Sequence, residues 1–103
     1  QSFAISICSA DDLPSPTVIG AQAANELLNI KGIKASFVLT DYQGKIYVSA
    51  RSIDEVNVQI IMERMGGGGH MNIAACQMEG VGIIEAIGAL KHTIDSMLEN
   101  REI

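Results

Sequence analysis

Phe3, Ile5 and Ile7 alternate with Ser2, Ala4, Ser6 and Cys8, the period of two expected of a strand with one buried face. The period then changes. After Asp11-Asp12-Leu13-Pro14 come Ser15 and Pro16, which suit a helix start: a serine hydroxyl can accept from a first-turn amide, and proline at the first helical position forfeits no hydrogen bond. A helix over about 16–30 is predicted, with Ile19, Ala23 and Leu27 on one face, Ala24 and Leu28 widening it, and Gly32 as the stop.

Residues 35–40 and 45–50 are rich in strand formers, and the Asp41-Tyr42-Gln43-Gly44 joint reads as a hairpin turn. From Asp54 to Met65 the chain turns helical again, with Val58, Ile61, Met62 and Met65 on one side. Four glycines, Gly66 to Gly69, end that helix. A short strand is expected over about 74–78, and a long final helix follows, carrying Ile83, Ile87, Leu90, Ile94 and Met97 or Leu98 on its apolar face. The order β-α-β-β-α-β-α predicts a small α/β sandwich with a mixed sheet of four to five strands, because hairpins pair antiparallel and helical crossovers favour parallel neighbours.

At 103 residues and 48% hydrophobic, the chain is read as a single domain, 1–103, with enough apolar surface for one core. Twelve acidic against seven basic side chains leave a net charge of −5, which argues against an extended nucleic-acid surface and makes any phosphate site local. Cys8 and Cys76 are expected as reduced thiols rather than a disulfide framework. No apolar run reaches bilayer-spanning length, and the missing initiator Met suggests a piece of something longer. The carboxylates, cysteines and histidines show no metal-ligand spacing, so no bound metal is expected within these residues.

Four adjacent glycines are costly to order, about 0.5–1 kcal/mol each relative to Ala. Two readings stay open for them: a helix cap followed by a flexible connector, or a nest of amides into which a phosphate can descend, with His70 adding an imidazole donor. Arg51 and Ser52 at a strand end suit a phosphodiester. Against this, Arg51 could be a solvated charge, and Ser52 with Glu55 fits a helix capping box. Asn57 is a weaker candidate of the same kind. His92 falls opposite the apolar stripe of its helix, and Asp11-Asp12 reads as a polar turn.

The segments Val48-Ser49-Ala50-Arg51-Ser52, Asp54 to Gln59, Gly66-Gly67-Gly68-Gly69-His70 and Ala74-Ala75-Cys76-Gln77 together resemble, in order and spacing, the DHH-associated domain of GdpP-type cyclic-dinucleotide phosphodiesterases. The stretches from Asp12 to Ile19 and from Glu26 to Ile33 extend the resemblance over nearly the whole chain, while Met71-Asn72-Ile73 departs from many relatives. The resemblance implies a bacterial hydrolase converting cyclic di-AMP to pApA, with cyclic di-GMP a poorer substrate. Two manganese ions would sit in a preceding DHH domain absent from this sequence, leaving this fragment without cofactor and inactive alone. Here the amides of Gly67, Gly68 and Gly69, with His70, Arg51 and Ser52, would bind phosphate, and Asn57 would assist. The implied partners are a cyclic or short linear dinucleotide and the intramolecular DHH domain, with a homodimer left open. The implied location is the cytoplasmic side of a membrane-anchored parent. Other readings are an oligoribonuclease or exonuclease of the same superfamily, and a regulatory module that binds nucleotide without turnover.

Overall fold

A computed structural model describes residues 3–9 and 15–103; the Asp11-Asp12-Leu13-Pro14 turn lies outside the described residues. Eight elements follow in order: β1 (Phe3–Ser9), α1 (Pro16–Leu27), β2 (Ala35–Tyr42), β3 (Lys45–Ser52), α2 (Val58–Arg64), β4 (Gly68–His70), β5 (Ile73–Glu79) and α3 (Ile83–Glu99). The strands form one mixed sheet in the order β1-β2-β3-β5-β4. β1 runs parallel to β2 through the α1 crossover, and every other pairing is antiparallel. The expected α/β sandwich is therefore present, with one strand more than the predicted order contains.

Local chemistry accounts for the boundaries. The Ser15 hydroxyl accepts from the Val18 amide at 3.4 Å, capping α1 as expected. α1 stops at Leu27 rather than near Ile30, because the chain tightens: Asn29 and Ile30 donate to the carbonyls only three residues back, at Glu26 and Leu27. Between β2 and β3, Gln43 and Gly44 both have positive φ, 49° and 82°, the two-residue turn whose twist matches antiparallel strands.

α2 begins at Val58, not Asp54. Asp54 sits at φ 56° in a turn, and the helix is capped by Asn57, whose side-chain oxygen accepts from the amides of Gln59 and Ile60. The Ser52-Glu55 capping box does not form, because Ser52 belongs to β3 and its hydroxyl donates to the Val56 carbonyl at 2.6 Å.

One face of the sheet carries the core. Phe37, Leu39, Val48, Ala50, Ala74 and Cys76 are buried there against Val58, Ile61 and Met62 of α2 and Ala86, Leu90, Ile94 and Met97 of α3. The other face is lined under α1 by Ser36, Val38, Thr40 and Ser49. α1 lies close on it: the Ser36 hydroxyl donates to the Ala24 carbonyl at 2.6 Å, and a Cβ at Gly20 would come within 2.8 Å of the Ser49 oxygen. With Ala24 over Ser36 and Gly20 near Thr40, α1 runs antiparallel to β2. Its first turn thus lies toward the hairpin turn, beside the start of β3.

Candidate functional site

α1 covers β2 and part of β3 and leaves the same face of β5 open. Ile73, Ala75 and Gln77 are exposed there, alternating with buried Ala74 and Cys76. This open half-face floors a cavity of about 630 Å³ whose walls are Thr17 and Ala21 of α1 on one side and the segment Gly66 to His70 on the other. Tyr47, Ser49 and Arg51 project from alternate positions of β3, in register with Gln77, Ala75 and Ile73 of β5.

The glycine run is neither a flexible connector nor a simple nest. Gly66, at φ 91°, and Gly67 end α2: the Gly66 amide donates to the Glu63 carbonyl and the Gly67 amide to that of Met62, the paired bonds of a left-handed helix cap. The Gly67 amide, expected among the phosphate donors, is therefore the cap's donor. From Gly68 the chain becomes β4, an edge strand on β5. Antiparallel partners exchange both bonds only at alternate residues, so at least one amide among Gly68, Gly69 and His70 points off the sheet edge.

Two of the glycines answer to packing. A Cβ at Gly67 would lie 2.0 Å from the Ala75 oxygen, and one at Gly69, where φ is 143°, would lie 2.5 Å from the Ile73 oxygen. Gly68 is different. It has ordinary φ and nothing within 4 Å of the position a Cβ would take, yet it pairs with Ala75 on the cavity side.

Arg51 is half-buried in the cavity wall, and its guanidinium donates to the Ala50 carbonyl at 2.8 Å. Burial pulls its pKa down from the ordinary value, reflecting the cost of desolvating the cation. Lys34 pairs with Asp54 and Glu55, Lys45 with Glu79, and Arg64 with Glu102, whereas Arg51 has no carboxylate within ion-pair distance among the described residues. Among the described residues, no acidic side chain lines the cavity. Beneath its floor the buried Cys76 thiol is pushed up to about 11 by desolvation, so it is protonated and unreactive at neutral pH.

The expected site residues divide accordingly. Arg51, Gly67, Gly68, Gly69 and His70 converge on the cavity. Ser52 and Asn57 do not: Ser52 lies on the opposite face of β3, buried, and Asn57 caps α2. Both support the site from behind. Asn72, which sequence reasoning missed, donates to the Ser52 hydroxyl at 2.9 Å and to the Val56 carbonyl at 3.2 Å, and its carbonyl accepts from the Ser52 amide. This clamp holds the β4–β5 turn, and His70 with it, against the end of β3. His92 is exposed on α3, across the sheet from the cavity. Among the described residues no three His, Cys, Asp or Glu side chains gather as a metal site would require, and no helix is long and apolar enough to cross a membrane.

The family model of the DHHA1 domain matches residues 5–100. The chain belongs to the DHHA1 domain family. Over 81 residues this DHHA1 domain is 49% identical to the cyclic-di-AMP phosphodiesterase PdeA of Listeria monocytogenes, an alignment that takes in 78% of this chain and 12% of that protein. Over 83 residues it is 47% identical to the cyclic-di-AMP phosphodiesterase GdpP of Bacillus subtilis, with 80% of this chain and 13% of that protein covered. The chain thus spans about an eighth of the length of these relatives. Among solved structures, the C-Ala domain of Aquifex aeolicus alanyl-tRNA synthetase superposes with a TM-score of 0.65 at 17% identity, covering 86% of this chain and 88% of that one. At that identity the likeness is one of fold.

Proposed function

We propose that this DHHA1 domain is the substrate-binding part of a phosphodiesterase acting on cyclic di-AMP, and that it holds the phosphate end of the nucleotide with Arg51, an amide of the Gly68 to His70 strand not bonded to β5, and the His70 ring. The observation that carries the reading is the half-buried guanidinium of Arg51, unpaired with any described carboxylate, in a cavity to which no described residue contributes an acidic side chain, on a chain of net charge −5. A desolvated cation is costly unless an anion meets it. The cyclic-di-AMP phosphodiesterases among its relatives, at 47–49% identity, support the choice of substrate.

The reading assigns no bond-breaking step to these residues. Hydrolysis of a phosphodiester by a two-metal site needs a metal pair to activate water and steady the leaving oxygen, and the described residues around this cavity do not fit such a pair. The manganese ions and their DHH domain are proposed for other parts of a longer protein, itself proposed to be anchored at the cytoplasmic side of a membrane. The test is Arg51→Ala in the full-length protein, with affinity for pApA read by calorimetry. A loss of about 1.5–3 kcal/mol, the scale of a charge-assisted hydrogen bond, is expected. Unchanged affinity with the fold intact would return Arg51 to a solvated strand-end charge.

A further inference from the structure

The cavity has two chemically different ends. At one, Arg51 of β3 stands in register with Ile73, which pairs on its other side with His70 of β4. At the other, Tyr47 stands in register with Gln77, and the first turn of α1 closes the side through Thr17. Beyond them Lys45 and Glu79 neutralise each other at 3.3 Å, so among the described residues this end presents no uncompensated charge. Between the ends lie Ser49 and Ala75, small side chains that leave the floor low.

We infer that the Tyr47–Gln77 pair is a nucleobase subsite, with the base stacked on the Tyr47 ring and the edge of an adenine-type purine read by the Gln77 amide. The inference rests on the phosphate reading of the Arg51 end and deepens it. Both side chains line the cavity, and neither hydrogen-bonds another described residue. A tyrosine ring on a pleated face offers a flat apolar surface at small entropic cost. A carboxamide can donate to N7 and accept from the N6 amino group of adenine in one plane, a pairing that guanine, with O6 in place of N6, cannot match. Arg51 and Tyr47 are four residues apart on one strand, about 13 Å, room for one nucleotide whose ribose lies over Ser49 and Ala75. An end whose described residues carry no uncompensated charge, next to a cationic one, orients the ligand, because a phosphate finds no described cation at Tyr47 and a base gains little at Arg51.

The experiment measures binding of AMP, GMP and ribose 5-phosphate to the full-length protein by calorimetry, in wild type and in Tyr47→Ala, Tyr47→Phe, Gln77→Ala and Arg51→Ala. Tyr47→Ala is expected to weaken AMP about tenfold, the scale of one lost base stack, with ribose 5-phosphate unchanged within about twofold and Tyr47→Phe close to wild type. Gln77→Ala should erase most of the preference for AMP over GMP. Equal weakening of AMP and ribose 5-phosphate by Tyr47→Ala, or no effect on either, would overturn the base subsite, as would a wild type that does not prefer AMP to GMP. Arg51→Ala should weaken all three ligands together. Silence of Arg51→Ala on all three would instead overturn the phosphate reading, and the ligand orientation inferred from it.

Discussion

The two faces of the sheet are built from the same strands and do opposite work. Toward α2 and α3, β2, β3 and β5 present Phe37, Leu39, Val48, Ala50, Ala74 and Cys76, all nearly sealed. Toward α1 they present Ser36, Thr40, Ser49, Tyr47, Arg51, Ala75 and Gln77, and the half beyond α1 stays open. A strand alternates its faces with period two, so β3 alone contributes Val48 and Ala50 to the core and Tyr47, Ser49 and Arg51 to the cavity. The closed face carries the buried core, which frees the open face to hold a cation that no described carboxylate pairs with, over an uncovered floor.

That division breaks most plainly where a change touches the closed face. Leu90 is fully buried in the core cluster, and Leu90→Ala should cost about 3 kcal/mol of stability, from lost burial and the cavity left behind, read as a lower denaturation midpoint. Gly67→Ala belongs to the same class although it adds only one carbon, because that carbon would sit 2.0 Å from a backbone oxygen of β5. Overpacking against backbone costs about 1–3 kcal/mol, and the loss should appear as faster amide exchange across β4 and β5. An unchanged exchange pattern would mean that β4 is not held against β5 as described.

Asn57→Ala is expected to be milder. It removes the acceptor that serves the amides of Gln59 and Ile60, for about 1 kcal/mol in thermal or chemical denaturation. Its effect on nucleotide affinity should be secondary, since Asn57 reaches the cavity only through α2 and the cap that leads into β4. A selective loss of affinity with stability unchanged would place Asn57 at the ligand instead.

The closed face was legible in the sequence largely because its residues repeat with the period of the element that carries them, as in the Ile5 strand and the Leu90 helix, while the 45–50 strand showed through its strand formers and the hairpin joint before it. β4 was not, since glycines have no side-chain period and the run shows only that Cβ atoms are absent. The start of α2 misled for a local reason: Ser52 and Glu55 stand at capping-box spacing, but Asp54 adopts positive φ and Asn57 takes the cap. Arg51 and His70 were legible as polar residues at the end of an element. Tyr47 and Gln77 were not, because they lie thirty positions apart in the chain and only the β3–β5 register brings them side by side.

The smallest stability effect is expected at Gly68, and it is the most discriminating. Glycines 66, 67 and 69 each have a reason within the fold: positive φ at the end of α2, a carbonyl at 2.0 Å, and positive φ with a carbonyl at 2.5 Å. Gly68 has none, so Gly68→Ala should leave stability unchanged or raise it by up to about 1 kcal/mol, since alanine lowers the entropy of the unfolded chain without strain in the folded one. Its methyl would nevertheless project from β4 on the side of Ala75, into the space where a phosphate would approach the strand edge. Nucleotide affinity should therefore fall while the denaturation midpoint holds or rises. Measured together on the full-length protein, the two quantities separate the faces of the sheet at one carbon. A variant that keeps both its stability and its affinity would mean that the ligand does not come near β4, and the phosphate end of the cavity would then rest on Arg51 alone.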